Sequence, residues 1–495
     1  MKRVFSRIIL IPTLIIGLGY VSKITLSFLS SERSNNEQLI RDIKKILPED
    51  TISKINKYLL PYREIDVLRR QERKLLVAQE VLKILEPSSI ENDIRIKESL
   101  VDLEFLKATS GVPILDNNLT LYKYKPNSIS LMRGISNIIP GSAYLDQYKN
   151  NIFLLSSNGV LGYTKYNDSK LRFKQIKNNL EDYFGRKQIE KSNTFSMKDL
   201  LVFDGKIYIS FTNEHKEDCW NTSLVYADLD LREVNFKPLF MPDECVSSKN
   251  KNFKFTAHQS AGRIVGLNSD EILFSTGEFR SRNLAQDKES AMGKILRINL
   301  NSNEFSAVAI GIRNAQGLYY DKNNQIIIFT EHGPKGGDEI NLLSYLDIEK
   351  EETQNYGWAI SSYGEHYGKG DRVTEKRWAS KGTNPYDKYP LYKSHKKYGF
   401  IEPLKYFIPS IGISEIIPVN TKNKIYAHAS LVDESLYFFK LDDQNRLSKS
   451  IRIQINERIR DMINYKNKIL LFLEDTGSIG LVDLNELDQP IDRLF

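Results

Sequence analysis

Residues 325–343 read QIIIFTEHGPKGGDEINLL. The β-branched and aromatic run from Gln325 to Thr330 breaks at a turn and is followed by a second run, Glu339-Ile340-Asn341-Leu342. Two such runs separated by turn residues spell a pair of strands. The turn is richer than a hairpin requires, since one or two residues of special backbone geometry suffice for that. Here a histidine, three glycines, a proline and two adjacent carboxylates stand together.

The same scheme recurs on both sides of it. Asn151–Leu155 precedes Gly159–Tyr163, Lys206–Ser210 precedes Ser223–Asp228, and Glu271–Ser275 precedes Lys294–Asn299. Further on, Lys424–Ala427 precedes Ser435–Lys440, and Lys468–Phe472 precedes Ser478–Asp483. Six units of this kind, each with two apolar faces that only neighbours can cover, predict an all-β, six-bladed β-propeller over residues 111–495. A β-sandwich with long loops is the competing architecture, and the repeat count and length disfavour it. Residues 350–410, rich in Tyr, Gly and Lys, interrupt the scheme as a long insertion near one mouth, where function often resides.

Upstream the composition changes. Lys2, Arg3 and Arg7 precede an apolar run from Ile8 to Val21, the pattern of an export signal. With Ile24–Leu29 included, the run approaches the roughly 20 residues a spanning helix needs. We therefore expect a signal anchor over 1–31, tethering the chain to a membrane with the propeller on the periplasmic or extracytoplasmic side; a cleaved signal peptide is the alternative. Residues 32–110 predict a helical stalk: Leu68, Leu75 and Leu82 recur every seven positions without an intervening Gly or Pro.

The chain carries a formal net charge of +7, with 19 basic against 15 acidic side chains in residues 1–110 and 51 against 48 in the rest. No segment concentrates positive charge, which argues against nucleic acid as a partner. Cys219 and Cys245 are the two cysteines and neither sits in a CxxC pair. One bridge across a loop, in an oxidising compartment, is expected slightly ahead of two unpaired thiols.

Three stretches bear groups able to do chemistry. His258 lies just ahead of a strand, where an imidazole can face a central opening and accept a proton as a general base. Glu278 ends the next strand and suits the orientation of that imidazole; taken singly, they are a structural histidine and a solvated acid. Arg313, Asn314 and Gln316 place a planar cation and two amides within four residues, matched to a flat, oxygen-rich anion, or else form a polar turn. In the 331–341 turn, Gly and Pro can aim backbone carbonyls at a hard cation such as calcium, with Asp338 and Glu339 adding charge; a glycine-rich hairpin is the plainer possibility.

Taken together, GKILRINL (293–300), GIRNAQGLYYD (311–321), EHGPKGGDEINLL (331–343) and NYGWAISSYGEHYG (355–368) resemble the soluble quinoprotein glucose dehydrogenase family, which includes sorbosone and aldose sugar dehydrogenase-like proteins. The resemblance runs from about residue 255 to the C-terminus. It implies a six-bladed propeller that holds pyrroloquinoline quinone (PQQ) and calcium at its mouth and oxidises an aldose sugar or related polyol, passing electrons to an unidentified acceptor. It implies that His258 is the base, with Glu278 supporting it and Arg313 in the catalytic group. Arg313, Asn314, Gln316, Arg458 and Arg460 fall on cofactor-contacting positions, and the carbonyls of Gly333 and Pro334 on calcium-binding ones. The sequence departs from the family where a lysine is expected and Val432 and Asp433 stand, at Ala257, and at TFSMKDLLVF (194–203) in place of a glycine-leucine-rich turn. These departures keep a second possibility open: a non-catalytic, calcium-supported propeller that binds a carbohydrate or a protein partner.

Overall fold

The computed structural model describes residues 103–495, save 116–117, 127–141, 185–187, 189–190, 192–193, 250–254, 367–384 and 488–489. The anchor expected over 1–31 and most of the stalk expected over 32–110 lie outside the described residues. Among the described residues no helix is long and apolar enough to cross a membrane.

The last part of the expected stalk is described, and it departs from the helix. Leu103–Lys107 is a strand with Leu103 and Phe105 buried, the alternation of a half-covered strand. The propeller therefore begins before residue 111. This strand pairs antiparallel with both Leu119–Pro126 and Lys170–Gln175.

Six blades, each built on four antiparallel strands, follow one another around an axis, and Leu103–Lys107 joins the first and the last into one continuous sheet. Blades 1 to 5 are built in chain order, and their innermost strands are Ala143–Tyr148, Met197–Phe203, Ala261–Asn268, Ala315–Asp321 and Ile413–Asn420. Blade 6 takes Ile459–Tyr465, Lys468–Leu473 and Ser478–Asp483 from the C-terminus and its outer strand, Leu119–Pro126, from the N-terminal side. The innermost strands touch one another in a closed ring. The repeats read from sequence are the second and third strands of the six blades.

Apolar side chains fill every gap between neighbouring blades. Phe153, Phe211 and Trp220 pack between blades 1 and 2, and Phe274 with Leu224 between blades 2 and 3. Phe329 with Ile295 and Tyr426 with Ile328 do the same on either side of blade 4. Leu436 with Leu471, and Leu470 with Phe173, close the circuit. Burial of this kind is the main stabilising force of such a ring.

The axis is polar and is held by one side chain. Arg263, 3% exposed, donates from Nη1 to Asp199 (2.9 Å) and Asp461 (2.6 Å), forms an ion pair with Glu415 (2.5 Å), and donates from Nε to the carbonyl of Gln316 (2.7 Å). Its guanidinium also lies 5.2 Å from the ring of Tyr144. A single guanidinium from blade 3 thus reaches the other five. The carboxylates continue the stitching, since Asp461 accepts from the N–H of Leu145 (2.6 Å) and Asp199 from that of Ile264 (2.7 Å).

Innermost strands start at one mouth, and second strands end there. His258, Arg313 and Arg458 precede innermost strands, whereas Glu278, the 332–337 turn, Val432 and Glu474 follow second strands. Topology alone brings all of them to one face.

Candidate active site

His258 sits in a short 3-10 turn, Ala257–Gln259, and is exposed at the mouth. Asn314 fixes the turn. Its Nδ2 donates to the His258 carbonyl (3.1 Å), and its Oδ1 accepts from the N–H of Ala261 (2.9 Å) and from Gln316 Nε2 (3.0 Å). Partial desolvation, reinforced by the positive charges of Lys198, Arg460 and Arg458 and by His332, lowers the imidazole pKa to about 4. It is therefore neutral at pH 7 and able to accept a proton.

Arg313 is buried beside this turn. Its backbone N–H donates to Glu331 (2.6 Å), its Nη1 donates to the carbonyl of His332 (2.5 Å), and its guanidinium lies 5.4 Å from the ring of Trp358. Gln259 links it to Glu278: the amide oxygen accepts from Arg313 Nη2 (2.6 Å), and the amide nitrogen donates to Glu278. Glu278 therefore acts on the histidine turn through Gln259 and is not a direct partner of the imidazole. Burial raises its pKa to about 7, against the pull of Arg313 and Arg282.

Arg458 and Arg460 reach the same mouth from blade 6, sharing one acid. Glu474 accepts from Arg458 Nε (2.8 Å) and from Arg460 Nη2 (2.8 Å) and Nε (3.1 Å), and the hydroxyl of Ser142 also donates to it. Burial opposes its charge, but Arg460 and Arg458 together hold its pKa at about 2.

In the 331–338 turn the structure separates the two acids. Asp338 faces inward and accepts from the N–H groups of Gly333 (2.9 Å), Gly412 (2.7 Å) and Ile413 (3.1 Å). Glu339 pairs with His395 (3.2 Å), whose Nδ1 lies 2.9 Å from Ser361 Oγ. All three are buried. A Cβ on Gly333 would lie 2.0 Å from the carbonyl oxygen of Gly337, which explains the glycine. The Pro334 carbonyl accepts from Ser410 Oγ (3.0 Å) and keeps a second lone pair. Two carbonyls fall short of the six to eight oxygens calcium takes. They suit an ion that also takes oxygens from a bound ligand.

The residues present also fit a flat, anionic quinone. The mouth brings together Arg313, Arg458 and Arg460, and two buried ring nitrogens, Trp358 Nε1 and His332 Nε2, have no hydrogen-bond partner among the described residues. Where the family lysine is expected, Val432 is exposed. Asp433 is taken up by Arg452 (2.6 Å) and the hydroxyl of Tyr437 (2.5 Å), so its charge is not loose at the mouth.

Sequence reasoning passed over Gln259, Lys198 and Glu474. Glu474 had a signal, since it follows the second strand of blade 6 as Glu278 follows that of blade 3. The two cysteines are bonded, Cys219 to Cys245, across 26 residues at blade 2.

The family model described as glucose/sorbosone dehydrogenase matches residues 197–482, more than half of the chain. An uncharacterized protein of Synechocystis sp. is 28% identical over 229 residues, which cover 40% of this chain and 49% of that protein. The aldose sugar dehydrogenase YliI of Escherichia coli is 28% identical over 178 residues, covering 33% and 44%. The chain thus spans about half the length of the curated relatives it matches. Among solved structures, a glucose dehydrogenase superposes with a TM-score of 0.54 at 18% identity, over 69% of this chain and 95% of that one. The apo-form of the soluble aldose sugar dehydrogenase of Escherichia coli gives 0.54 at 19%, over 69% and 94%. At that identity the likeness speaks for the fold alone. By the reach of the family model, the chain belongs to the glucose/sorbosone dehydrogenase family.

Proposed function

We propose that this protein is a PQQ-dependent oxidoreductase that oxidises an aldose sugar or related polyol at the propeller mouth. The observation that carries this reading is the meeting of a neutral, exposed imidazole with three arginines drawn from two different blades. His258 accepts the proton of the substrate hydroxyl. Asn314 and Gln259 hold its turn, Glu278 and Arg313 brace Gln259, and Arg313, Arg458 and Arg460 receive carboxylates of the cofactor. The quinone, when bound, would supply a two-electron acceptor for hydride from the sugar carbon, and the carbonyls of Gly333 and Pro334 would hold a calcium ion able to act as a Lewis acid toward it. Export belongs to the same proposal; a bonded Cys219–Cys245 pair is in keeping with an oxidising compartment.

The test is reconstitution. Purified protein given PQQ and calcium should acquire a bound chromophore and reduce a dye when aldose is added, and His258→Ala should bind the chromophore without reducing the dye. Absence of binding at micromolar PQQ would overturn the enzyme reading in favour of a binding propeller, which the changed sequence at Val432 and Asp433 leaves as the second possibility.

A further inference from the structure

Lys198 lies near the start of the innermost strand of blade 2, beside Asp199 of the axial cluster. It is 7% exposed. Its Nζ donates to the carbonyl of Thr194 (3.0 Å), which uses one of its three N–H groups. Among the described residues no carboxylate forms a salt bridge with it. Glu474, the acid whose field reaches it, is already bonded to Arg458 and Arg460. Arg460 and His258 are the other groups in electrostatic contact. A buried ammonium with a single carbonyl partner is costly to keep, and burial with the Arg460 charge lowers its pKa to about 7.

The neighbouring blade is shaped to admit this side chain. Gly262, at the start of the innermost strand of blade 3, has φ +118°, and a Cβ there would lie 2.5 Å from the Cβ of Lys198. The glycine thus leaves room for the lysine stem, and Lys198 is within electrostatic reach of His258, four residues before the glycine. Across the mouth, the segment 431–433 offers no cation: Val432 is apolar and Asp433 is held by Arg452.

We propose that Lys198 is a further cation of the anion receptor formed by Arg313, Arg458 and Arg460, and that its ammonium binds a carboxylate of the quinone cofactor from the blade 2 side. The assignment rests on the function proposed above. It gives the TFSMKDLLVF segment a role in holding the cofactor.

Tryptophan-fluorescence titration of the full-length apoprotein with PQQ tests it in wild type, Lys198→Met and Lys198→Arg. Loss of one charge-assisted hydrogen bond should weaken binding by about tenfold to a hundredfold in Lys198→Met, with the arginine variant much closer to wild type. A folded Lys198→Met that binds as tightly as wild type overturns the assignment and leaves the proposed function standing; a wild type that does not bind PQQ overturns both. A second measurement titrates the wild-type protein. The ¹³Cε resonance of Lys198, identified by its loss in Lys198→Arg, should show a pKa raised by PQQ, and an unmoved titration would also sink the assignment.

Discussion

Single side chains hold this site in place by serving several neighbours at once. Arg263 draws three buried carboxylates together, and Glu474 draws two arginines. Removing one member of such a set leaves charges buried without a counter-charge, which is far costlier than losing an exposed pair. His258 lives in the field of these groups, and its low pKa has a direct kinetic consequence. Only the neutral imidazole accepts a proton, so kcat/KM should stay level as pH falls through 6.5 and decline only near pH 4. A pH–rate profile with its acid limb at the ordinary histidine value would refute this. The linkage sign agrees: the unfolded chain takes up the proton first, so the histidine's contribution to stability is full above 6.5 and is lost as pH falls toward 4. His258 and the arginines were legible because their residue types in a known order are distinctive. Lys198 and Glu474 were not, since one charged residue near a strand end looks the same in sequence whether it faces solvent or is buried at the mouth.

At the scale of elements, the six hairpins were legible, and of the innermost strands only the one that follows His258 was. Second and third strands are covered on both faces by neighbouring blades, so they read as unbroken apolar runs such as Lys468–Leu473. Innermost strands carry Lys198 and Asp199, Arg263, Gln316, Glu415, and Arg460 and Asp461 into a polar axis, which dilutes the strand signal. The 331–338 turn was legible as exceptional, though its acids do different work from what composition suggested. Asp338 ties the turn to the start of blade 5, and the glycines allow the fold-back. Gly333→Ala should therefore lower the melting temperature and abolish any rise in it that calcium produces in wild type. A calcium response equal to that of wild type would show that the carbonyls of this turn do not hold the ion.

In the whole molecule, the ring is closed by a strand from its beginning. Leu121, 1% exposed, sits in that strand opposite Val482. Leu121→Ala should destabilise the protein by about 2–5 kcal/mol, read as a lower denaturant midpoint, and amide exchange in Ser478–Asp483 should accelerate first. Unchanged exchange there would mean that blade 6 stands without its outer strand. This closure was not legible: a strand pair separated by most of the chain leaves no local mark, and Leu103–Lys107 lay in a stretch whose charge density suggested helix.

The joining of Leu119–Pro126 to Ser478–Asp483 also sets an order of events during synthesis. The outer strand of blade 6 is translated hundreds of residues before that partner, so it waits with Leu103–Lys107 on one edge and the other edge bare. A product truncated at blade 5 would be an open crescent with an uncovered apolar blade face at each end, prone to associate with other chains. The latch thereby doubles as a proofreading device, since only a polypeptide that already carries Ser478–Asp483 can shut it.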